Sequence, residues 1–410
     1  MKVLVADKFE DVGLQALRTA GIDIDYRPSL SASDLGSAIA TSQPDVLVVR
    51  STQVSAVALT SSRTLKLVVR AGAGYDTIDV PAASADGISV ANCPGKNAVA
   101  VAELAWGLIL SCDRRIPEQT HELREGRWNK RDFANAQGLR GRTLGVIGLG
   151  PIGQAVIERA RGFDMRILGW SRSLTPERAE QLEIEAAASL IDLARASDVV
   201  TLHLAATPET EGIIDGSFIA AMKSGAILIN TSRGQLVSEP DLIKGMAEKG
   251  IRAGLDVFVG EPKAATAEVD LALARVPGVV TTHHVGASTD EAQMAIAMET
   301  VKIILTFRQT GAVLNSVNRA VDSSATCLLT VRHRNRPGVL AHVFQVLSEA
   351  HINVEEMDNI LYDGALAASA RIQLDQPPSS SDLDRIRISC PDILGAEVTQ
   401  LAVGPPTPIG

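Results

Sequence analysis

Short, mostly apolar runs recur along the first three-quarters of the chain, separated by stretches of helical periodicity. The runs are V-L-V-A from Val3, V-L-V-V from Val46, L-V-V from Leu67, L-G-V-I from Leu144, R-I-L from Arg166, V-V-T-L-H from Val199 and A-I-L-I-N from Ala226. Asp11 to Ala20 and Ala155 to Arg161 are amphipathic. A parallel strand covered on both faces has no polar side to show, so unbroken apolar runs between amphipathic helices predict an α/β fold made of βαβ units. Ala98 to Leu110 is the most apolar long stretch. It carries Glu103 and is too short for a bilayer, so it predicts a buried helix.

The pattern changes near Ser323 and Ser324, where a domain boundary is expected. Cys327 to Val331 predicts a strand, R-P-G-V-L from Arg336 opens a helix, and Ala367 to Leu374 alternates like a half-buried strand. Q-P-P-S-S-S-D, residues 376–382, predicts a loop with Ser381 or Asp382 as the cap of the next helix. Strand, helix, strands, helix, strand describes a small α+β module of roughly 80 residues. Residues 404–410, G-P-P-T-P-I-G, are expected to be a disordered tail.

Composition narrows the function classes. A chain of 410 residues is too long for one core, so two or three domains are expected. The net charge is −9, no long basic run occurs, and aromatics are 3%, which argues against a nucleic-acid binder. Cys93, Cys112, Cys327 and Cys390 are scattered without a C-x-x-C pair, which suits reduced thiols in a cytoplasm and no metal site. The start, M-K-V-L-V-A-D, reads as a strand rather than a leader because Asp7 interrupts a short apolar run. Neither a nucleic acid nor a membrane is expected as a partner.

The run L-G-V-I-G-L-G-P-I-G holds G-x-G-x-x-G at Gly148, Gly150 and Gly153, between an apolar strand and a helical pattern. The first glycine allows a tight turn, the second a close backbone approach to pyrophosphate, and the third close packing of helix on strand. A purely structural turn has the same glycines; the strand–loop–helix context favours a dinucleotide. About 20 residues on, where an acid normally binds the ribose 2′-hydroxyl, the chain reads W-S-R-S. Ser171 can donate to a 2′-phosphate and Arg172 can pair with it, which predicts NADP, with acceptance of NAD as the alternative.

Three later segments follow apolar runs and should lie beyond strand C-termini: N-T-S-R-G-Q-L from Asn230, L-D-V-F-V-G-E-P from Leu255 and T-T-H-H-V-G-A-S-T from Thr281. Together they bring an arginine, a glutamate and a histidine. An arginine can bind a carboxylate, a histidine can exchange the hydroxyl proton, and a glutamate can hold the histidine's second nitrogen. In these contexts Arg233, Glu261 and His284 resemble the catalytic set of the D-isomer-specific 2-hydroxyacid dehydrogenases. The resemblance covers nearly the whole chain.

That family implies a Rossmann-type, parallel-sheet nucleotide domain inserted in a flavodoxin-like substrate domain. The substrate domain would be residues 1–95 and 288–323, the nucleotide domain 96–287, and a C-terminal α+β module 324–403. The resemblance also implies cofactor contacts from Pro151, Ile152, Leu204, Ala205, Thr231, Asp256 and Gly286. Two departures stand out: His283 replaces the proline that precedes the family's histidine, and Ala205 replaces a frequent proline.

V-R-S-T-Q-V-S from Val49 and V-R-A-G-A-G-Y-D from Val69 resemble the substrate loops of family members that act on D-3-phosphoglycerate. By that resemblance Arg50, Ser51, Arg70, Gly72, Ala73, Gly74 and Asn97 contact substrate. The glycine amides suit a carboxylate and the two arginines a phosphate. Lys96 could add a cation or be simply solvated. The W-N-K run from Trp128 resembles a family segment near the active site. H-R-N-R-P-G-V-L from His333 resembles the start of an ACT domain, with a ferredoxin-like fold; His333, Asn335 and Asn353 match positions that bind L-serine between paired ACT domains. A homodimer or homotetramer is therefore expected, with a purely oligomerising module as the alternative. The acidic run from Glu355 departs from that pattern. The combined expectation is reversible hydride transfer between NAD or NADP and a phosphorylated 2-hydroxy acid at the entry to serine synthesis. An NADPH-dependent glyoxylate or hydroxypyruvate reductase and a dinucleotide-sensing corepressor are the alternatives.

Overall fold

A computed structural model describes residues 1–262, 266–320 and 323–401. It divides into two compact units after Asn318, a few residues before Ser323. The expected tail, 404–410, lies outside the described residues.

The first unit holds two parallel sheets. Strands β1 (Lys2–Val5), β2 (Asp23–Tyr26), β3 (Val46–Val49), β4 (Leu67–Arg70) and β5 (Ser89–Ala91) form one sheet in the flavodoxin-like order β2-β1-β3-β4-β5. Successive residues of a strand serve opposite faces: Val3 and Val5 enter one apolar cluster and Leu4 another. This two-sided burial explains the unbroken apolar runs. The helix Asp290–Thr310 closes one face with Ile296, Ala297, Val301, Ile303 and Ile304. Residues beyond it return to β5, where Asn318 bonds Val90 N and Ile88 O. Late chain is thus folded onto the N-terminal sheet.

Strands β6 (Thr143–Ile147), β7 (Arg166–Trp170), β8 (Glu185–Ala186), β9 (Val199–Leu202), β10 (Ile227–Asn230), β11 (Arg252–Leu255) and β12 (Val279–Thr281) form the second sheet, ordered β12-β11-β10-β9-β6-β7-β8. Strand order reverses at β6, the switch point where such sheets bind ligands. The expected buried helix runs from Ala98 to Arg114, and its Trp106 stacks on Phe163 with centroids 4.5 Å apart. Three strands escape the apolar pattern, D-I-D-Y of β2, Ser89–Ala91 of β5 and Glu185–Ala186 of β8; each pairs with one neighbour only, at a sheet edge.

The second unit carries β13 (Cys327–Arg334), β14 (Val354–Leu361), β15 (Ala367–Leu374) and β16 (Ile393–Gln400), with helices Val339–Glu349 and Ser380–Ile388. The sheet is antiparallel, ordered β14-β15-β13-β16, a ferredoxin-like arrangement. One expectation needs correction. The last helix is capped by Ser379, not by Ser381 or Asp382. Ser379 Oγ accepts from Asp382 N while Asp382 accepts from Ser379 N, a reciprocal capping box that places both expected caps inside the helix.

Candidate active site

The glycine loop joins β6 to the helix Pro151–Arg161. Gly148 has φ +94°, and a Cβ there would lie 2.4 Å from His203 O. A Cβ on Gly153 would lie 2.1 Å from Gly148 O, so helix and turn touch backbone to backbone. A Cβ on Gly150 would meet no protein atom, so this glycine faces open space at the uncapped N-terminus of the helix. Pro151 and Ile152 form the first turn. Amides at such a terminus attract an anion.

A cleft of about 610 Å³ opens beside this loop, lined by Gly148, Gly150, Ser171, Arg172, Leu204 and Ala205 among others. Arg178 also lines it, a second cation that sequence reasoning missed. It stands in the short helix Pro176–Gln181, whose N-cap is Thr175; that T-P-E-R start was its sequence signal. Glu209 lines the same cleft, and its carboxyl is held low by bonds from Thr207 and its own backbone and by the charge of Arg172. His203 borders the cleft with Nε2 bonded to Thr201 Oγ1 at 2.9 Å and Nδ1 buried without a partner. Burial pushes its imidazole down to about 3, so it is neutral. Thr231 Oγ1 and Asn97 Oδ1 are likewise buried and unpartnered. Orphaned polar atoms beside a glycine cradle fit a bound dinucleotide.

Arg233, Glu261 and His284 lie together. His284 Nδ1 meets Glu261 Oε2 at 2.6 Å, and Glu261 Oε1 accepts from Phe258 N at 2.8 Å. Burial works against the Glu261 carboxylate, but the bonds from His284 and Phe258 N and the field of Arg233 outweigh it and hold the group low. Gly234 permits this assembly: a Cβ there would lie 2.2 Å from Phe258 C, so the Arg233 loop packs on the loop that carries Glu261. Asn230 braces the same loop, donating to Arg233 O and accepting from Ser232 N.

Asp256 and Gly286, both expected at the cofactor, bond to each other. Asp256 is 1% exposed and accepts from Thr282 Oγ1, Val285 N and Gly286 N, at 2.6, 2.9 and 2.9 Å. His284 N donates to Asp256 O, and His284 takes φ +52°. Asp256 thus sets the loop that presents His284. His283 is exposed and forms no part of the dyad.

The N-terminal lobe brings further cations. A Cβ on Gly72 would overlap Arg70 Nη1, and one on Gly74 would lie 2.1 Å from Arg233 Nη2, so both guanidinium groups cover the G-A-G loop. Ala73 O accepts from Asn92 Nδ2 at 2.6 Å. Burial, then the charges of Arg233 and Arg50, lower the pKa of Arg70, with Asp76 opposing them. Its Nε is buried without a partner. Arg50 and Ser51 sit on a turn whose amides, with Thr52 N, all donate to Asp7. Asp7, two residues past the end of β1, interrupts the apolar run, and only the fold reveals that it accepts these three amides. Lys96 pairs with Glu299 at 3.2 Å, so it is neither free nor merely solvated. Trp128 is 81% exposed.

The three residues expected to bind an effector do not meet within the chain. His333 is 2% exposed, its Nδ1 against Arg334 O and its Nε2 against Asn359 Oδ1. Asn335 Nδ2 donates to Ala365 O and Asn353 Nδ2 to Glu355 Oε1. His333 pairs with Ala368 and Val354 with Leu374, so Asn353 stands at the far end of the sheet, roughly 20 Å away at the usual rise per residue. Among the described residues no cluster of His, Cys, Asp or Glu could hold a metal, and no helix is long and apolar enough to cross a membrane.

Residues 106–286 match the NAD-binding domain of the D-isomer specific 2-hydroxyacid dehydrogenases, and residues 328–358 match the ACT domain. The chain is 43% identical over 269 residues to the hydroxypyruvate reductase of Thermotoga maritima, covering 65% of this chain and 85% of that one. It is 39% identical over 323 residues to a D-3-phosphoglycerate dehydrogenase of Methanocaldococcus jannaschii, covering 78% of this chain and 60% of that one. The NAD+-bound 3-phosphoglycerate dehydrogenase of Entamoeba histolytica superposes with a TM-score of 0.64 at 27% identity, over 78% of this chain and 99% of that one. The chain belongs to the D-isomer specific 2-hydroxyacid dehydrogenase family and carries an ACT domain. It spans about 60% of the length of the first D-3-phosphoglycerate dehydrogenases it matches.

Proposed function

We propose that this chain interconverts D-3-phosphoglycerate and 3-phosphohydroxypyruvate with a nicotinamide dinucleotide, at the entry to L-serine synthesis. The observation that carries the reading is the gathering of Arg70 and Arg233 over the Gly72–Gly74 loop, with the charge of Arg50 felt at Arg70, beside the His284–Glu261 pair. Such a cluster suits a substrate with two anionic ends. In oxidation His284 takes the 2-hydroxyl proton on Nε2, because Glu261 holds Nδ1. Arg233 and the loop amides hold the carboxylate; Arg50 and Arg70 hold the phosphate; Asn97 contacts substrate from the second lobe. A bound nicotinamide would supply the acceptor for the C2 hydride in oxidation and its donor in reduction. Gly148 to Gly153, Leu204, Ala205 and Thr231 would seat the dinucleotide, with Ser171, Arg172 and Arg178 favouring NADP.

Two copies of the ACT domain would complete an L-serine site from His333 and Asn335 of one and Asn353 of the other, so the working form is a homodimer or homotetramer. Four free cysteines suit a cytoplasmic enzyme.

A second reading, reduction of unphosphorylated hydroxypyruvate or glyoxylate, has its own support in the Thermotoga maritima relative and the two arginines at the ribose end. One ratio separates them: kcat/KM for 3-phosphohydroxypyruvate against hydroxypyruvate, with saturating NADPH. A preference of about a hundredfold, about 3 kcal/mol, supports the phosphorylated substrate. Equal values favour the second reading.

A further inference from the structure

Arg233 is held from across the cleft. Its loop follows β10 in the second sheet, whereas Asp76 follows β4 in the first. Arg233 Nη2 donates to Asp76 Oδ1 at 2.9 Å and Nε to Oδ2 at 3.3 Å, a two-point contact with one edge of the guanidinium. Nη1 donates to Ser232 O at 2.7 Å. Five hydrogens are available on the group, so one remains on each terminal nitrogen. The one on Nη2 faces the terminal edge, the edge that accepts a carboxylate at two points. Gly74 makes room for the arrangement, since any side chain there would strike Arg233.

We propose that Asp76 is a positioning residue that ties the two lobes together and fixes Arg233 edge-on, reserving its terminal edge for the substrate carboxylate. The proposal rests on the reading of Arg233 as the carboxylate anchor. Asp76 also supplies a negative charge between Arg233 and Arg70, so the two cations can gather before substrate arrives. Burial opposes the Asp76 carboxylate, yet the bonds and charge of Arg233 and the charge of Arg70 keep it ionised. Sequence motifs gave no sign of this pairing, because the partners are far apart along the chain.

The test is steady-state kinetics of the full-length enzyme, with 3-phosphohydroxypyruvate and NADPH, for Asp76→Asn, Asp76→Glu and Arg233→Ala. For Asp76→Asn the KM for the keto acid should rise about tenfold and kcat should fall by a similar factor, the scale expected for a misaligned binding group. The KM for NADPH should stay within about twofold. A merely structural role would cost active enzyme and lower kcat, leaving both KM values alone. Asp76→Glu should recover part of the loss. If Asp76→Asn does not fold, Asp76→Ser gives the same readout. A keto-acid KM unchanged in the neutral variant overturns the proposal. Arg233→Ala separates the two failures: if it raises KM and Asp76→Asn does not, only the tie is wrong; if Arg233→Ala leaves KM unchanged, the anchor reading itself falls.

Discussion

In the cleft of the first unit, polar atoms of Arg70, Asn97, Thr231 and His203 are buried without partners. In the C-terminal unit, His333, Asn335 and Asn353 each have a partner within the chain. Unpaired buried polar atoms are costly and persist where a ligand completes them. The cleft therefore presents buried polar groups that a bound ligand can partner. In the ACT unit the three proposed effector contacts are turned to internal uses. Glu355, the departure noted in the acidic run, is the group that occupies Asn353. On the proposed reading, catalysis needs one copy of the chain and serine binding needs two.

The comparison breaks first if the cleft is not catalytic. Replacing His284 with Asn should lower kcat by about a thousandfold or more, while His283→Asn should change it by less than about fivefold. Steady-state rates for the two variants check this, and the reverse order would move the active histidine by one residue.

The next largest effect concerns the adenosine end. Removing both cations, Arg172→Ala with Arg178→Ala, should raise the KM for NADPH about tenfold or more and leave that for NADH within about twofold. Equal changes for both cofactors would mean that neither arginine reads a 2′-phosphate.

A smaller effect follows from the neutral, buried His203. Its folded pKa of about 3 lies below the value near 6.5 of a solvated imidazole. The unfolded chain therefore binds a proton that the folded chain refuses. The stabilisation from His203 is complete above about pH 6.5 and declines as pH falls toward the folded value, by up to about 2 kcal/mol at pH 5. His203→Gln should flatten the decline of melting temperature between pH 6.5 and 5. An unchanged slope would assign the acid sensitivity elsewhere.

The smallest expected change belongs to the ACT unit. Millimolar L-serine should shift activity about twofold or raise the melting temperature by a few degrees through ligand linkage. No change in either removes serine as the effector.

What was legible in the sequence depends on whether the signal is local. Core strands such as Val46–Val49 announce themselves because both faces are buried, and the glycine loop does so because its spacing is local. The edge strands β2 and β8 are polar and short, so hydrophobicity says nothing of them. Among site residues, Arg233, Glu261 and His284 could be named from short motifs. The roles of Asp7, Asp76 and Asn92 could not, because each is defined by a partner brought near by the fold. Asp256 shows the intermediate case: its segment was singled out, yet its carboxylate serves the His284 loop. Arg178 hides in a four-residue cap pattern that has many structural uses.

The most direct test of the central claim, that the arginine cluster reads a doubly anionic substrate, is the substrate ratio in one variant. The quantity is kcat/KM for 3-phosphohydroxypyruvate over that for hydroxypyruvate, measured in the parent and in Arg70→Gln. Loss of one charge-assisted contact to phosphate should cut the ratio by at least about tenfold while the unphosphorylated acid is used nearly as before. A ratio unchanged by Arg70→Gln would contradict the account.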